Sequence, residues 1–122
     1  MTKKDKILRD IFDYHSRYGE TKEQNAFIKF WQKSYNHFNI IMLLGSVANE
    51  ETGIAYEKIC DVYASKFAGR TTILSILNEG CENSFFVKAE STEDHRMQNY
   101  KLQGERKKDV TLWLENHPIR NL

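Results

Sequence analysis

Two short polar clusters have residue types suited to binding a partner molecule: Asp94-His95-Arg96 and Arg70-Thr71-Thr72. An arginine side chain can read guanine with a bidentate fork of hydrogen bonds. Threonine hydroxyls suit hydrogen bonds to phosphates or base edges at close range. The histidines and the two cysteines lack the spacing of a metal site, and no glycine-rich phosphate loop stands out. We therefore expect a binding surface, and we expect no catalytic residue, metal or cofactor.

The first cluster lies at the tip of a predicted β-hairpin at 85–102. An apolar run at 85–89 leads into a polar loop at 90–96, and the chain returns at 97–102. Two such runs joined by a polar loop are typical of a hairpin. Because the rest of the chain has helical patterns, a hairpin that follows short helices predicts a winged helix.

Apolar residues at helical spacing predict the other elements. A capping box, Thr21-Lys22-Glu23-Gln24, marks the start of the second helix, which either runs on or bends near 36–39 and continues to Val47. The predicted helices are 4–18, the aromatic-rich helix from Thr21, 54–63, 70–82 and 105–116. Within them we expect Ile59 and Val62, and then Ile73, Ile76 and Leu77, to face the core. Cys60 and Cys81 are expected to be buried thiols.

Size and charge limit the choice of function. The chain has 122 residues, of which 40% are apolar and 29% charged, so it is long enough for one domain with a real core. The net charge is +1, so any binding to nucleic acid must depend on local charge placement. No apolar run approaches the roughly 20 residues of a membrane span, and the N-terminus lacks a secretory signal. We expect a cytoplasmic protein without a membrane partner.

Four segments carry a resemblance to a known family: the apolar helix at 38–47, Gly53-Ile54-Ala55-Tyr56-Glu57-Lys58-Ile59-Cys60, Arg70-Thr71-Thr72-Ile73 and Asp94-His95-Arg96. In the order given, the four segments are similar to four parts of the MarR family of winged helix-turn-helix transcriptional regulators. These parts are the helix that precedes the DNA-reading head, the first helix of that head, the start of its recognition helix and its wing. The chain has Ala55, Gly80 and Ser84 where that family has a hydroxyl cap, a leucine and a glycine. The link between Cys60 and Arg70 is longer than in that family. Glu79 and Glu82 make the C-terminal end of the helix at 70–82 acidic.

The resemblance implies the roles of particular residues. Arg96, held by Asp94, would reach the minor groove, and the first turn of the helix at 70–82 would face base edges in the major groove. The residues expected to contact double-stranded DNA are Lys66, Arg70, Thr71, Thr72, Ser75, Lys88, Asp94, His95 and Arg96. The resemblance also implies a small aromatic ligand, for which Trp31, Tyr35 and Phe38 are the candidate pocket. Core or dimer packing explains the same aromatic spacing.

The expected fold class is mainly α with a small β-hairpin (α+β), as a winged helix-turn-helix with dimerisation helices at both ends. We treat 1–122 as a single winged-helix domain, with 38–102 as the DNA-reading head and 85–102 as its wing. The dimerisation helices are 1–36 and 105–122. In a homodimer, we expect the N-terminal helix to pack with the C-terminal helix around Trp113, through Ile7, Leu8, Ile11 and Phe12.

The expected function is sequence-specific DNA binding that regulates transcription, most simply as a homodimeric repressor and not as an enzyme. Two alternatives remain open. The winged helix could serve as a protein-interaction module, which the near-neutral charge and the acidic helix end favour. It could also be a ligand- or redox-responsive sensor without strong DNA binding.

Overall fold

Helices dominate the computed structural model, which describes residues 1–17, 19–46, 52–64, 68–90 and 98–121. The elements are α1 (Lys3–His15), α2 (Lys22–Trp31), α3 (Tyr35–Gly45), β1 (Ile54–Ala55), α4 (Tyr56–Tyr63), α5 (Arg70–Glu82), β2 (Phe86–Glu90), β3 (Gln98–Leu102), α6 (Gly104–Glu115) and a closing 3-10 helix (Pro118–Asn121). The three strands form one antiparallel sheet in the order β1-β3-β2. The expected mainly helical α+β composition and the hairpin strands at 86–90 and 98–102 are confirmed.

Side-chain caps set several helix boundaries. The capping box at Thr21 is present, because the Thr21 hydroxyl accepts from the backbone N–H of Gln24 at 3.1 Å and the Gln24 side chain accepts from the N–H of Thr21 at 3.2 Å. The break after α2 comes earlier than the predicted bend at 36–39. Ser34 caps α3, since its hydroxyl accepts from the backbone N–H of His37 at 3.1 Å. α1 ends at His15 rather than at Tyr18, which lies outside the described residues.

The sheet contains a strand that the sequence pattern did not predict. Ile54 and Ala55 pair with Tyr100 and Asn99 of β3, so Ile54 belongs to a strand and α4 begins only at Tyr56. Gly53 makes this possible at a φ of 69°, because a Cβ there would lie 2.5 Å from the Tyr100 carbonyl oxygen. Only glycine allows the backbone to approach β3 so closely. The short strand fixes where α4 starts and how it is rotated.

The core lies between the sheet and the helices. Its fully buried side chains are Phe27, Ile40, Ile41, Ile59, Ile73 and Leu77. The predicted stripe of Ile73, Ile76 and Leu77 on α5 is confirmed. On α4 the prediction for Val62 was wrong: Val62 is 42% exposed, and Cys60 and Tyr63 are buried beside Ile59. Tyr63 also donates a hydrogen bond to Asn36 at 2.7 Å, which fixes that face of α4 against α3.

Gly80 joins α5 to the hairpin. A Cβ at this position would lie 2.1 Å from the ring of Phe86, so the ring occupies the space that a side chain would need. This explains why a glycine stands where the resembled family has leucine. The absent side chain lets β2 pack directly on the helix.

The N-terminal helix contacts the C-terminal end of the same chain. The Tyr14 hydroxyl donates to the Trp113 carbonyl oxygen at 2.7 Å, and His15 Nε2 lies 2.9 Å from His117 Nε2. The expected contact of α1 with the region around Trp113 is therefore made within one chain. Leu8 and Phe12 of α1 are exposed, as is Leu114 of α6, while Val110 is buried. Among the described helices, none combines the length and apolar character needed to cross a membrane.

Candidate nucleic-acid interface

Helix α5 separates a buried apolar face from an exposed polar one. The exposed side chains are Arg70, Thr71, Thr72, Leu74, Ser75, Asn78 and Glu82. Four predicted contact residues, Arg70, Thr71, Thr72 and Ser75, thus lie on one helix surface. Asn78 was not predicted, although its position three residues after Ser75 places it on the same face. A shallow groove of about 450 Å³ runs along this surface from Thr71 to Glu82.

The N-terminus of α5 is open. Its N-cap is Gly69, which makes no side-chain hydrogen bond, and a Cβ there would meet nothing within 4 Å. Thr71 and Thr72 therefore do not cap the helix, and their hydroxyls are exposed on its first turn. The first backbone N–H groups of a helix attract anions through their unpaired donors and the helix dipole. This end has the polarity that a phosphate requires.

Arg70 is already held by an acidic partner. Its Nη1 lies 3.0 and 3.1 Å from the two carboxylate oxygens of Glu57 on α4, and the Tyr56 hydroxyl donates to the Arg70 carbonyl oxygen at 3.4 Å. The hydrogen bond and charge of Glu57 raise the pKa of Arg70. Both side chains of the pair are more than half exposed, at 55% and 56%. Exposed pairs contribute little, so a ligand can replace Glu57 as the partner of Arg70.

Glu79, near the other end of α5, is half-buried and belongs to a polar cluster. Glu79 accepts from Lys33 at 2.9 Å and from His37 Nε2 at 3.1 Å, and His37 Nδ1 lies 2.6 Å from the Ser34 hydroxyl. Hydrogen bonds from Lys33 and then His37 lower the pKa of Glu79. Of the two acids expected at this end, Glu79 is thus paired with Lys33 in the link between α2 and α3 and with His37 of α3, whereas Glu82 stays on the exposed face.

The hairpin places one predicted contact next to α5. Lys88 of β2 is exposed, and its Nζ lies 5.9 Å from the ring centroid of Tyr100, its partner on β3.

Burial raises the pKa of the nearby Cys81 thiol, and the charge of Lys88 partly offsets this rise. Cys60 is buried as expected, while Cys81 is half-buried.

Four predicted contacts lie outside the described residues: Lys66, Asp94, His95 and Arg96. The strands that lead to the hairpin tip are described up to Glu90 and from Gln98 onward. The wing contacts therefore stay predictions.

Two of the three aromatic residues of the candidate ligand pocket pack against each other. Trp31 is buried and stacks on Phe38, with ring centroids 5.5 Å apart, and it packs against Trp113 at 4.9 Å. Tyr35 is exposed. The geometry of Trp31 and Phe38 is that of aromatic packing in a core.

Comparison with known proteins adds no relative to this picture. The chain matches no protein-family model, no curated protein and no solved structure. A function must therefore be inferred from the exposed face of α5 and from the hairpin that packs on this helix.

Proposed function

We propose that this protein is a sequence-specific DNA-binding transcriptional regulator of the winged helix-turn-helix type, acting in the cytoplasm as a MarR-like homodimeric repressor. The observation that carries the proposal is the polar face of α5, with Arg70, Thr71, Thr72 and Ser75 exposed around an uncapped helix start. In helix-turn-helix proteins, the N-terminal residues of the second helix contact base edges in the major groove.

The order of elements supports the winged-helix interpretation. A helix, a short strand, two helices and a hairpin follow one another as α3, β1, α4, α5, β2 and β3, and β1 pairs with the second hairpin strand. In this interpretation α4 and α5 form the helix-turn-helix and the hairpin is the wing. Lys88, Lys66 and the tip residues Asp94, His95 and Arg96 would then contact the DNA backbone or the minor groove.

The charges on α5 set the expected strength of binding. Arg70 must exchange Glu57 for a phosphate or a base, and Glu82 lies on the same exposed face. Because each neutralised phosphate adds to affinity through counterion release, few basic contacts mean modest affinity for one chain. A dimer doubles these contacts.

Exposed apolar residues on α1 support the homodimer. Leu8 and Phe12 are one turn apart on the helix, and both are exposed. Burying such side chains against a second copy would remove apolar area from water. Phe12→Asp should therefore yield monomers in sedimentation, and Asp10→Ala on the same helix should not. A Phe12→Asp protein that remains dimeric would place the interface elsewhere.

Selection of bound DNA from a random pool tests the proposed function. We expect an enriched, roughly palindromic site with half-sites one helical turn apart, and an affinity that falls steeply as salt rises. Enrichment should be weaker with Arg70→Ala and unchanged with Arg120→Ala, which removes an exposed arginine near the C-terminus. A pool without any enriched sequence would contradict the proposal.

One observation favours a second candidate, a protein-interaction module. The exposed surface of α5 is close to neutral, because Glu57 pairs with Arg70 and Glu82 adds a negative charge. A protein partner tolerates such a surface better than DNA does. This candidate predicts no salt-dependent DNA binding at all.

A further inference from the structure

A groove of about 860 Å³ lies between helix α6 and the sheet. One wall is a row across the strands: Val87 of β2 is paired with Lys101 of β3, and Gly53 lies against Lys101. Strand side chains alternate between faces, so Val87 points away from Phe86, whose ring packs on α5. This groove is therefore separate from the candidate nucleic-acid interface.

Helix α6 forms the other wall. Its lining residues are Gly104, Lys107, Lys108, Thr111, Leu112 and Glu115. Their spacing of three and four residues makes one continuous stripe along the helix. At 1.5 Å per residue the stripe is about 16 Å long, which corresponds to roughly three helical turns.

The groove is apolar at its centre. Leu44 and Leu102 form its buried floor. Val87 and Leu112 line its sides, and they are 37% and 53% exposed. A concave site with apolar walls and a few charged groups at its edge is the usual form of a binding site.

Positive charge predominates among the lining residues. Among the described residues that line the groove, three are lysines, Lys101, Lys107 and Lys108, and one is an acid, Glu115. The Lys107 ammonium donates to the Gly45 carbonyl oxygen, which keeps its charge at the groove. Lys108 makes only an exposed pair with Glu105, at 3.3 Å. A partner that is apolar in the middle and acidic at its edges complements this surface.

We propose that this groove binds an acidic amphipathic helix of a partner protein. An apolar groove between a sheet and a helix is normally filled by another helix, which completes the layer. The stripe on α6 matches a partner helix of about three turns that presents apolar residues at i, i+3, i+4 and i+7, the helix-in-groove mode of recognition. The lysines favour an acidic partner over α1 of a second copy, because α1 has four lysine and arginine side chains against three aspartates. This inference does not depend on DNA binding.

A designed peptide provides the probe. It is a fluorescein-labelled helix of about 14 residues, stapled because isolated helices of that length are marginal in water. It carries leucines at i, i+3, i+4 and i+7 and glutamates on both flanks. A second peptide has lysine in place of every glutamate. Anisotropy titrations with the full chain should show at least about tenfold weaker binding of the lysine peptide.

Variants of the protein locate the site. Lys101→Glu combined with Lys108→Glu, and separately Leu112→Asp, should each weaken binding of the acidic peptide by about tenfold. Lys29→Glu, on the exposed surface of α2, should leave binding unchanged. If a groove variant fails to fold, the comparison of the two peptides on the unaltered protein still decides the matter.

Three outcomes would overturn the proposal. The first is equal binding of both peptides, or no binding of either. The second is binding of dodecanoate at this groove without binding of the acidic peptide, which would make it a small-molecule site. The third is a Leu112→Asp protein that changes from dimer to monomer in sedimentation, which would assign the groove to a second copy of the chain.

Discussion

The two ends of α5 are held in opposite ways. At its start, Arg70 pairs with Glu57 in a contact that is more than half exposed on both sides. Near its end, Glu79 pairs with His37, whose side chain is 11% exposed, and Gly80 receives the ring of Phe86. The far end is fixed to α3 and β2, whereas the near end has partners that solvent or a ligand can replace. A helix held in this way can change its contacts without changing its position.

The largest effect should come from filling the space at the fixed end. Gly80→Ala should lower the free energy of unfolding by about 2 kcal/mol, because the new methyl group collides with the Phe86 ring. Removing a glycine from a helix interior alone would add about 0.5–1 kcal/mol. Urea denaturation measures the difference. Gly104→Ala is the matched control, since a Cβ there meets nothing within 4 Å. A Gly80→Ala protein more stable than the unaltered chain would show that this end is not tightly packed.

The next effect concerns the adjustable end and should appear in binding alone. Arg70→Ala should reduce affinity for the selected DNA site by about tenfold, as expected for loss of a bidentate base contact. The melting temperature should hardly change, because the Arg70–Glu57 pair is exposed. Anisotropy titration and thermal denaturation of the same preparation measure both. A large fall in melting temperature would mean that the two ends are equally structural.

A smaller effect is expected from the ion pair at the fixed end. Glu79→Gln should lower the free energy of unfolding by about 1 kcal/mol at neutral pH, a value limited by the partial exposure of Glu79. The pKa of Glu79 is lowered from its ordinary value of 4.5, so its contribution is complete above that pH and is lost as the pH falls through the lowered pKa. The two proteins should therefore converge in stability in acid. Glu82→Gln, on the exposed face, should match the unaltered chain at every pH.

The smallest effect should come from freeing Arg70. Glu57→Gln removes the charge that competes with DNA for the guanidinium and should raise DNA affinity by about threefold. Stability should stay within about 0.5 kcal/mol, as for most surface substitutions. Reduced affinity would mean that Glu57 orients Arg70 for binding and does not merely compete for it.

Local signals were sufficient to predict some elements. The bounds of α5 follow from glycine before Arg70 and from the stripe of Ile73, Ile76 and Leu77. The start of α2 follows from its capping box. In each case a few neighbouring residues determine the structure, so the sequence pattern carries the information.

Other features depend on residues that are distant in sequence. Strand β1 has only two residues, too few for an alternating pattern, and it exists because β3 lies beside it. An eight-residue helix such as α4 allows more than one apolar stripe, and packing selects the one with Cys60 and Tyr63 over Val62. The partner of Arg70 is 13 residues away and that of His37 is 42 away, so no local pattern predicts either pair.

The contact between His15 and His117 has a consequence for the chain's response to acid. The backbone N–H of Ile119 donates to His117 Nδ1 at 3.1 Å, so that nitrogen carries a lone pair and the proton of the ring is on Nε2. His117 Nε2 therefore donates to His15 Nε2, and both rings are neutral. A second proton on His15 places two N–H groups against each other. A second proton on His117 occupies Nδ1 and removes the hydrogen bond from Ile119.

The hydrogen bond between the two histidines, which joins α1 to the 3-10 helix, therefore requires both rings to be neutral. Burial lowers the pKa of both histidines, and the charge of His117 lowers that of His15 further. The stabilisation from this contact is fully present above the ordinary histidine pKa of 6.5. It is lost as the pH falls from 6.5 toward the lowered pKa values of the folded protein. Mild acid should therefore loosen the contact between the 3-10 helix and α1. Backbone hydrogen exchange at Ile119 would record this loosening.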